Sequence, residues 1–442
     1  MTPGWPIWPA SRRRRVMAEP IRSICILGNG LEAWLTAHVL YKALGGEAVS
    51  IHIQPLDSRI HDDCAYTILR PSALVALDQF GLNLQGLLRL PATLPSLGQV
   101  LRSASGVDTL LPYGGQGVDW AGTSFHHHWL RARQAGLRHP YFAFSPGYHA
   151  MASDRFAPPD RRNAIGPMQH ESGLHVSTRE LTENLRLNLQ ANIIVLDPTA
   201  NCEQADLVIH APGAPDRNST LDPVHAGPPK PYAVRVEAGG ESRLQIPLRS
   251  GWLDLPTPAG PAKRHCGNSP WGEDGLVVGL AAAHLPGLED RSMDRLLFEL
   301  ETLLELWPRS GVHSAEALEY NRLWAQEADE WTALSALSAD QEDQRCQARK
   351  AVFRRRGYIE PLESRTITPE DWVEAFIGRG VIPAHYDRLS ERLTDPQLKS
   401  ELQKFTDAVG RTVREFPSFP SYLRAIDRAV GPATDAKTEP SA

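Results

Sequence analysis

The chain has 442 residues and a formal net charge of −6, with 42% hydrophobic and 22% charged residues. This composition is typical of a folded globular protein, and it excludes a disordered, collagen-like or coiled-coil chain. The mild acidic excess argues against a dedicated nucleic-acid-binding protein, which would usually be basic. The length is sufficient for two or three domains around a large hydrophobic core.

The cationic residues are divided unevenly between arginine and lysine. Only seven of the 46 are lysines, and none lies between Lys42 and Lys230. Codon usage in a GC-rich genome accounts for such a bias. Its chemical consequence does not depend on the cause: no site built from this long stretch can use a lysine amine.

Cysteine usage and the N-terminus give expectations about compartment. The odd number of cysteines, their wide spacing and the lack of a CxxC pair disfavour a disulfide framework or a zinc site, and predict reduced thiols in a cytoplasmic protein. Residues 1–20 contain four consecutive arginines without a following apolar segment, which predicts a flexible extension. No apolar run reaches the roughly 18–20 residues that span a bilayer. The cysteines are Cys25, Cys64, Cys202, Cys266 and Cys346.

The first predicted elements form one compact unit. An apolar segment over 21–27 predicts a strand, which the glycines at 28 and 30 end. Apolar residues at helical spacing predict a helix over 31–44, and residues 49–53 predict a second strand. A strand, a glycine turn, a helix and a second strand in this order are the start of a dinucleotide-binding domain.

The remaining elements fall into a mixed region and a helical one. Residues 71–89 predict a helix, and residues 93–165 are rich in glycine, proline and aromatic residues. Ser177, with Glu180 three residues later, has the spacing of a capping box at the start of a helix over 177–189. Strands are predicted at 192–196 and 206–209, and helices at 293–307, 315–340, 341–353, 370–377 and 395–415.

The glycine turn reads GxGxxA and predicts nucleotide binding. Gly28 permits a tight turn, Gly30 lets a pyrophosphate approach the backbone, and Ala33 is small enough for close helix–strand packing. The helix that begins at Leu31 would offer its N–H groups to the phosphates. An acidic residue is expected at the end of the second strand for the ribose hydroxyls, but Gln54 stands there and is a weaker partner.

Two later segments favour FAD over NAD as the resident cofactor. The segment 206–213 is a short apolar strand that ends in a small-residue turn at Gly213. The segment 271–283 places Gly279 at a strand end, directly before a run of small residues. Strands of this kind return beneath the cofactor in flavoproteins, so both glycines are predicted to contact FAD.

From about Ile24 to Ala425 the sequence resembles the flavin-dependent tryptophan halogenases. The segments that carry the resemblance stand in the family's order: ICILGNGLEAW, GLHVSTREL, ADLVIHAPG, SGWLDLP, VVGLAAAHLPGLE, DWVEAFIGRGVIPAHYD and FPSFPSYL. The resemblance implies an α/β fold, the FAD-binding Rossmann-like (GxGxxG) flavoprotein monooxygenase/halogenase fold, with an α-helical C-terminal region. It predicts an extension at 1–20, an FAD-binding domain with an inserted substrate region at 21–290, a helical region at 291–430 and a disordered tail at 431–442.

The resemblance also implies a reaction and its residues. The family uses O2 and FAD, which a separate flavin reductase reduces, and a lysine and a glutamate direct hypohalous acid to an indole or similar ring. Ser96 stands at the position of that lysine, and the gap between the lysines at 42 and 230 means that no shift in alignment restores it. Glu289 corresponds to the glutamate. Asp290 and Arg291 replace the serine–threonine pair that usually follows.

Three functions therefore remain open. The first is FAD-dependent, halogenase-type oxidation of an aromatic small molecule or peptide, or hydroxylation by a flavin monooxygenase, which needs no amine. The second is an accessory or binding protein with the halogenase fold and without catalysis. The third, an NAD-dependent dehydrogenase, lacks a second dinucleotide motif. No metal, nucleic-acid or membrane partner is expected, and a homodimer is left open.

Two motifs invite functional interpretations that the sequence does not favour. Residues 360–364 match the family's short glutamate motif letter for letter, but no glycine-ended strand precedes them, which favours a loop beside a helix. His126, His127 and His128 are adjacent and have no acidic or cysteine partner at ligand spacing, which favours a surface or substrate-cleft role over a metal site. Packing in the core is the expected role of the aromatic residues Trp129, Tyr141, Phe142, Phe144 and Tyr148.

Overall fold

The computed structural model describes most of the chain and defines its elements. The described residues are 20–45, 49–56, 66–103, 106–159, 170–198, 204–212, 226–238, 241–256, 262–285, 291–308, 314–338 and 342–430. The strands are β1 (Ser23–Leu27), β2 (Ser50–Gln54), β3 (Tyr66–Leu69), β4 (Leu94–Ser96), β5 (Gly98–Arg102), β6 (Asp108–Pro112), β7 (Gly173–Ser177), β8 (Ile194–Val195), β9 (Leu207–His210), β10 (Ala233–Ala238), β11 (Glu241–Leu248), β12 (Gly251–Pro256), β13 (Lys263–Arg264), β14 (Trp271–Gly272), β15 (Gly275–Val277) and β16 (Ala283–His284). The α-helices are α1 (Leu31–Ala43), α2 (Pro71–Gln79), α3 (Leu84–Leu87), α4 (Phe125–Gln134), α5 (Pro146–Ala152), α6 (Thr178–Leu189), α7 (Ser292–Glu305), α8 (Ser314–Ser338), α9 (Gln344–Arg356), α10 (Pro369–Gly378), α11 (Asp395–Arg414) and α12 (Phe419–Val430).

A six-stranded sheet in the order β14-β15-β9-β1-β2-β8 carries the predicted nucleotide-binding unit. β1 runs parallel to β2 and β9, and β15 runs parallel to β9. Ile24 and Ile26 are fully buried in β1, as expected for a central parallel strand covered by other elements. The observed topology confirms the predicted Rossmann-like fold class.

The helix α1 is buried over its first ten residues, from Leu31 to Leu40. It packs against both α6 and α7, so it has no solvent-facing stripe over this length. It ends close to Gly45, whose φ of +73° is a left-handed conformation that glycine adopts at low cost. The strand–turn–helix–strand unit therefore lies where the sequence predicts it.

Two further sheets stand beside the first and were not predicted as sheets. Five strands pair in the order β12-β11-β10-β5-β6, and three pair in the order β3-β7-β4. Their strands are short and separated by glycine and proline, so the alternation of apolar residues is too brief to identify from sequence. The parallel pair of β5 and β10 joins the part of the chain before residue 115 to the segment after residue 230.

The C-terminal region is helical, as predicted, and closes over the sheets. Trp324 and Trp331 on α8 and Trp372 on α10 are almost completely buried. Arg349 on α9 donates to both carboxylate oxygens of Glu330 on α8, at 2.7 and 3.2 Å, inside this packing. Helix α12 follows the predicted helices and was not anticipated.

Two helix predictions show how local chemistry sets boundaries. The predicted helix over 71–89 is divided into α2 and α3, because Gly81 takes a φ of +72° and Asn83 caps α3 through the Gly86 N–H. Ser177 caps α6, as predicted, by accepting the Glu180 N–H at 3.3 Å. The Glu180 carboxylate bonds the Ala92 N–H instead of completing a capping box.

One expectation about cysteines is wrong. Cys25, in the central strand β1, is disulfide-bonded, whereas Cys266 and Cys346 are free thiols. Sequence spacing failed here because pairing depends on which cysteines the fold brings close together in space. Within the described ranges, no helix is both long enough and apolar enough to cross a membrane.

Candidate functional site

The glycine turn lies at the carboxyl edge of the six-stranded sheet. Gly28 has a φ of +148°, and a Cβ there would overlap the carbonyl oxygen of Ala211 at the end of β9. Its N–H donates to the Gln54 carbonyl at 2.9 Å. Glycine is therefore required at this position by the close approach of three strand ends, whether or not a nucleotide binds.

Gly30 is the N-cap residue of α1, and no side-chain hydrogen bond caps the helix there. Leu31 and Ala33 are buried in the first turn of α1. Gly279 lies beyond the end of β15 with a φ of +63°. These four residues are therefore brought together at the carboxyl ends of parallel strands, the edge at which α/β sheets hold ligands in a crevice.

The side chain of Glu32 is buried at this edge of the sheet. It is only 3% exposed, and its Oε1 accepts the Leu280 N–H at 2.9 Å. A Cβ placed on Gly279 would overlap the Glu32 carboxylate, so the two residues are in direct contact. Sequence reasoning passed over Glu32, although an acidic residue inside the GxGxxA turn was the available signal.

A second carboxylate binds the same backbone turn. Glu299 of α7 accepts the Gly279 N–H at 2.7 Å and the Trp324 indole N–H at 2.8 Å. Burial raises the pKa of Glu299 to about 7, although these two hydrogen bonds act in the opposite direction. The N–H groups of Gly279 and Leu280 are therefore already bonded to carboxylates of the chain itself.

This arrangement does not fit the pyrophosphate of FAD as it stands. A pyrophosphate would sit at the first turn of α1 and use backbone N–H groups at this edge of the sheet. The acidic side chain of Glu32 belongs to that turn, and bringing a second negative charge into a desolvated site beside a carboxylate is unfavourable.

Two other residues were predicted to bind the cofactor, Gln54 and Gly213. Gln54 is 7% exposed, and its side chain donates to the Pro198 carbonyl at 2.9 Å. Gly213 lies outside the described residues, as does Glu289, the predicted catalytic glutamate. Their predicted roles stay predictions.

Ser96, at the predicted lysine position, is completely buried in β4. Its hydroxyl donates to the Gly98 carbonyl at 3.2 Å and accepts from the Gly98 N–H at 3.4 Å. Its neighbour Pro95 lines a cavity of about 1030 Å³, whereas Ser96 faces the other side of the strand. The serine hydroxyl is thus directed into the local backbone.

A cavity of about 670 Å³ lies between α2, α7, α10 and the edge of the five-stranded sheet, and we call it the charged cavity. Leu101, Leu111, Leu297 and Phe298 form much of its apolar wall. Its polar lining combines both signs of charge. The residues of that lining are Arg70, Arg235, Arg291, Arg365, Arg379, Glu171, Asp294, Glu301, Glu370, Asp371 and Glu374.

Asp371 organises one end of the charged cavity. Arg291, just before α7, places Nη2 2.5 Å from Asp371 Oδ1, and Arg70 lies 3.8 Å from the same oxygen. Burial alone would raise the pKa of Asp371, but the two guanidinium groups lower it to about 2. Asp371 is therefore ionised whenever the protein is folded near neutral pH.

Glu374, one helical turn further along α10, is in the opposite state. Burial raises the pKa of Glu374 to about 8, and the neighbouring Asp371 charge adds to the rise. Its Oε1 lies 3.3 Å from the Gln116 side-chain nitrogen, which donates to it. At pH 7 Glu374 is thus protonated while Asp371, on the same helix, is ionised.

The histidine triplet is structural, so the predicted surface or cleft role is wrong. All three residues are buried on α4, and His126 and His128 donate to the backbone carbonyls of Gly357 and Trp120. His127 accepts the Asp387 N–H at 3.1 Å, and burial lowers its pKa to about 3. Within the described ranges, no group of three metal-ligating side chains is found.

The glutamate-motif segment and the aromatic residues lie where the sequence predicts them. Residues 360–364 form a loop after α9, where Glu360 pairs with Arg349 at 2.7 Å and Ser364 donates to Glu327. The predicted core aromatics are buried, except Tyr148, which is half-buried. The charged cavity was not predicted from the sequence, although Arg291 stands where the halogenases usually have one residue of a serine–threonine pair.

Comparisons with known proteins identify the fold. No family model matches the sequence, and no curated protein matches it. The flavin-dependent halogenase BrvH from Brevundimonas sp. BAL3 superposes with a TM-score of 0.78 at 18% identity, over 92% of this chain and 99% of that one. Xcc4156, a flavin-dependent halogenase from Xanthomonas campestris, gives 0.76 at 16% identity over 92% and 99%.

A tryptophan halogenase from Shewanella frigidimarina gives a TM-score of 0.72 at 12% identity, over 93% of this chain and 98% of that one. Superposition over nearly the full length of each chain confirms the predicted architecture, while the low identity leaves the side chains of the site to be judged individually. The fold of this chain is that of the flavin-dependent halogenases.

Proposed function

We propose that this protein uses the halogenase fold to bind an aromatic, indole-like small molecule or peptide in the charged cavity, and that it does not carry out lysine-directed halogenation. The charged cavity carries the proposal. Its volume of about 670 Å³ lies within the 300–1,000 Å³ of typical ligand sites, and it combines an apolar wall with charged groups of both signs.

The lining suits a ligand with both charges and an aromatic ring. Arg235 is 5% exposed and offers a guanidinium to a carboxylate, while the acidic residues of the lining offer acceptors to an ammonium or indole N–H. Phe298 and the three leucines of the wall offer apolar area to the ring. An aromatic amino acid or a peptide containing one has these groups.

Three observations speak against the family's reaction. None of the described residues that line the charged cavity is a lysine. Ser96 is buried away from it, and the Glu32 carboxylate lies in the crevice where FAD would bind. The protein is thus proposed as a binding or accessory protein.

Calorimetric titration with L-tryptophan and with indole tests this function directly. Saturable binding of L-tryptophan is expected, and Arg235→Gln should weaken it at least tenfold, which is about 1.4 kcal/mol. Arg102→Gln is the matched control, because Arg102 lies on β5 beside β10 and pairs with Asp108 at the surface. Ala76→Trp, which places an indole inside the cavity, should abolish binding in a folded protein. Absence of binding to the unmodified protein would refute the proposal.

FAD-dependent oxidation of the same ligand class is the second candidate, because the strand–turn–helix unit of a nucleotide-binding domain is retained. It would need O2 and a separate flavin reductase, and it would convert the substrate by halogenation or hydroxylation. A yellow purified protein with one flavin per chain would favour this candidate. Mass spectrometry of indole products with and without bromide would then distinguish the two reactions.

A further inference from the structure

Glu32 occupies a position that the proposed function does not explain. It is the second residue of α1, in the helix turn at which dinucleotide-binding folds hold the pyrophosphate. Its carboxylate reaches Leu280 and lies against Gly279. A carboxylate that is 3% exposed has lost most of its hydration, and such a group is retained only with compensating hydrogen bonds.

The surroundings of Glu32 are those of an anion site. Gly28, Ala211 and Gly279 follow the carboxyl ends of β1, β9 and β15, which are neighbours in the sheet. The first turn of α1 contributes the positive end of a helix dipole to the same place. The compensating donor is the backbone N–H of Leu280, of the kind that binds phosphate oxygens in nucleotide sites.

We infer that the Glu32 carboxylate is an internal substitute for the cofactor's pyrophosphate and closes the dinucleotide crevice of this protein to FAD. The carboxylate takes the hydrogen bond, the helix dipole and the space that a phosphate would use. An incoming pyrophosphate would have to displace it and would then meet its charge at close range in a desolvated crevice.

The inference places the main barrier in Glu32, while Glu299 binds the neighbouring Gly279 N–H. Gly28, Gly30, Ala33 and Gly279 keep the small-residue backbone that a dinucleotide needs. Removing the carboxylate should therefore open a crevice whose remaining shape is still suitable. This inference is independent of ligand binding in the charged cavity, which lies on the other side of α7 residues such as Leu297 and Phe298.

FAD titration of the full-length protein tests the inference, with equilibrium dialysis and quenching of flavin fluorescence as the readouts. Glu32→Ala removes both the charge and the bulk, and Glu32→Gln removes the charge at nearly constant shape. Glu183→Ala is the control, because Glu183 is an exposed glutamate on α6, the helix that packs against α1. Thermal unfolding checks that each variant is folded.

Both Glu32 variants are expected to bind FAD at least tenfold more tightly than the unmodified protein, and Glu183→Ala should not differ from it. Hydrogen exchange should show the Leu280 N–H less protected in Glu32→Ala and protected again when FAD is added. The inference is overturned if the unmodified protein binds FAD as tightly as the variants. It is equally overturned if folded Glu32→Gln and Glu32→Ala bind FAD no better than the unmodified protein.

Discussion

Arg291 and Asp371 join the start of α7 to the first turn of α10 through an ion pair of 2.5 Å, with side chains only 11% and 15% exposed. Asp371 also completes a capping box with Thr368, so one carboxylate fixes both the cavity wall and the helix start. The sequence separates the two residues by 80 positions. The end of the charged cavity thus depends on a contact that only the fold creates.

Asp371→Ala should destabilise the protein by about 3–5 kcal/mol, because it leaves the guanidinium of Arg291 without its carboxylate and removes the Asp371 half of the capping box with Thr368. Urea unfolding measures the loss. A double-mutant cycle of Asp371→Asn with Arg291→Gln should give a coupling free energy of about 1–3 kcal/mol. The exposed pair Arg102–Asp108 is the control and should couple by less than about 1 kcal/mol. Equal coupling in the two pairs would contradict this interpretation.

Ser96→Lys should not restore halogenation. The position is fully buried within β4, so a lysine there would be forced to lose its charge or to disrupt the strand. We expect a loss of stability of several kcal/mol, against about 1 kcal/mol for Ser96→Ala, which only removes the bonds to Gly98. Urea unfolding and bromide-dependent mass shifts on indole check both points. A Ser96→Lys variant that is stable and halogenates indole would show that β4 does not bury this position.

Buried histidines should make the protein less stable as the pH falls. Burial lowers the pKa of His175 from 6.5 to about 3, so the native state keeps the ring neutral while the unfolded state takes up a proton below pH 6.5. The unfolded state then binds more protons, and the free energy of unfolding falls by up to about 1.4 kcal/mol per pH unit for this residue.

The variant His175→Phe isolates that contribution. Its stability should decline less steeply than that of the unmodified protein between pH 6 and pH 4, as measured by urea unfolding at each pH. His265→Phe, at an exposed position, is the control and should leave the slope unchanged. Parallel slopes for His175→Phe and the unmodified protein would mean that His175 titrates normally in the folded state.

Glu374→Gln should stabilise the protein above neutral pH. The folded-state pKa of Glu374 is raised from 4.5 to about 8, so the native state holds a proton that the unfolded state releases above pH 4.5. The associated stability is therefore present at low pH and is lost as the pH rises towards 8. Glutamine keeps the contact with Gln116 without an ionisable proton. The melting temperature of the variant should exceed that of the unmodified protein at pH 8, and the difference should shrink at pH 5.

Much of the first sheet could be predicted because its signals are local. The run of apolar residues in β1, the glycine turn and the buried α1 follow one another within the chain, and their patterns are those of a parallel strand and a fully buried helix. The C-terminal helices were predictable for the same reason. Sheet partners between β5 and β10 were not, because short strands carry little periodicity and their pairing spans more than 130 residues.

The sequence by itself determined that lysine is missing from the whole stretch between Lys42 and Lys230, and that a GxGxxA turn links a strand to a helix. Only the tertiary structure decided what these features mean. It buries Ser96 away from the cavities and turns Glu32 onto Leu280, so that a turn with a nucleotide-binding pattern is filled by its own carboxylate. The reason is physical: a motif fixes the local path of the backbone, but which side chain enters the space beside it depends on residues that lie far apart in the chain.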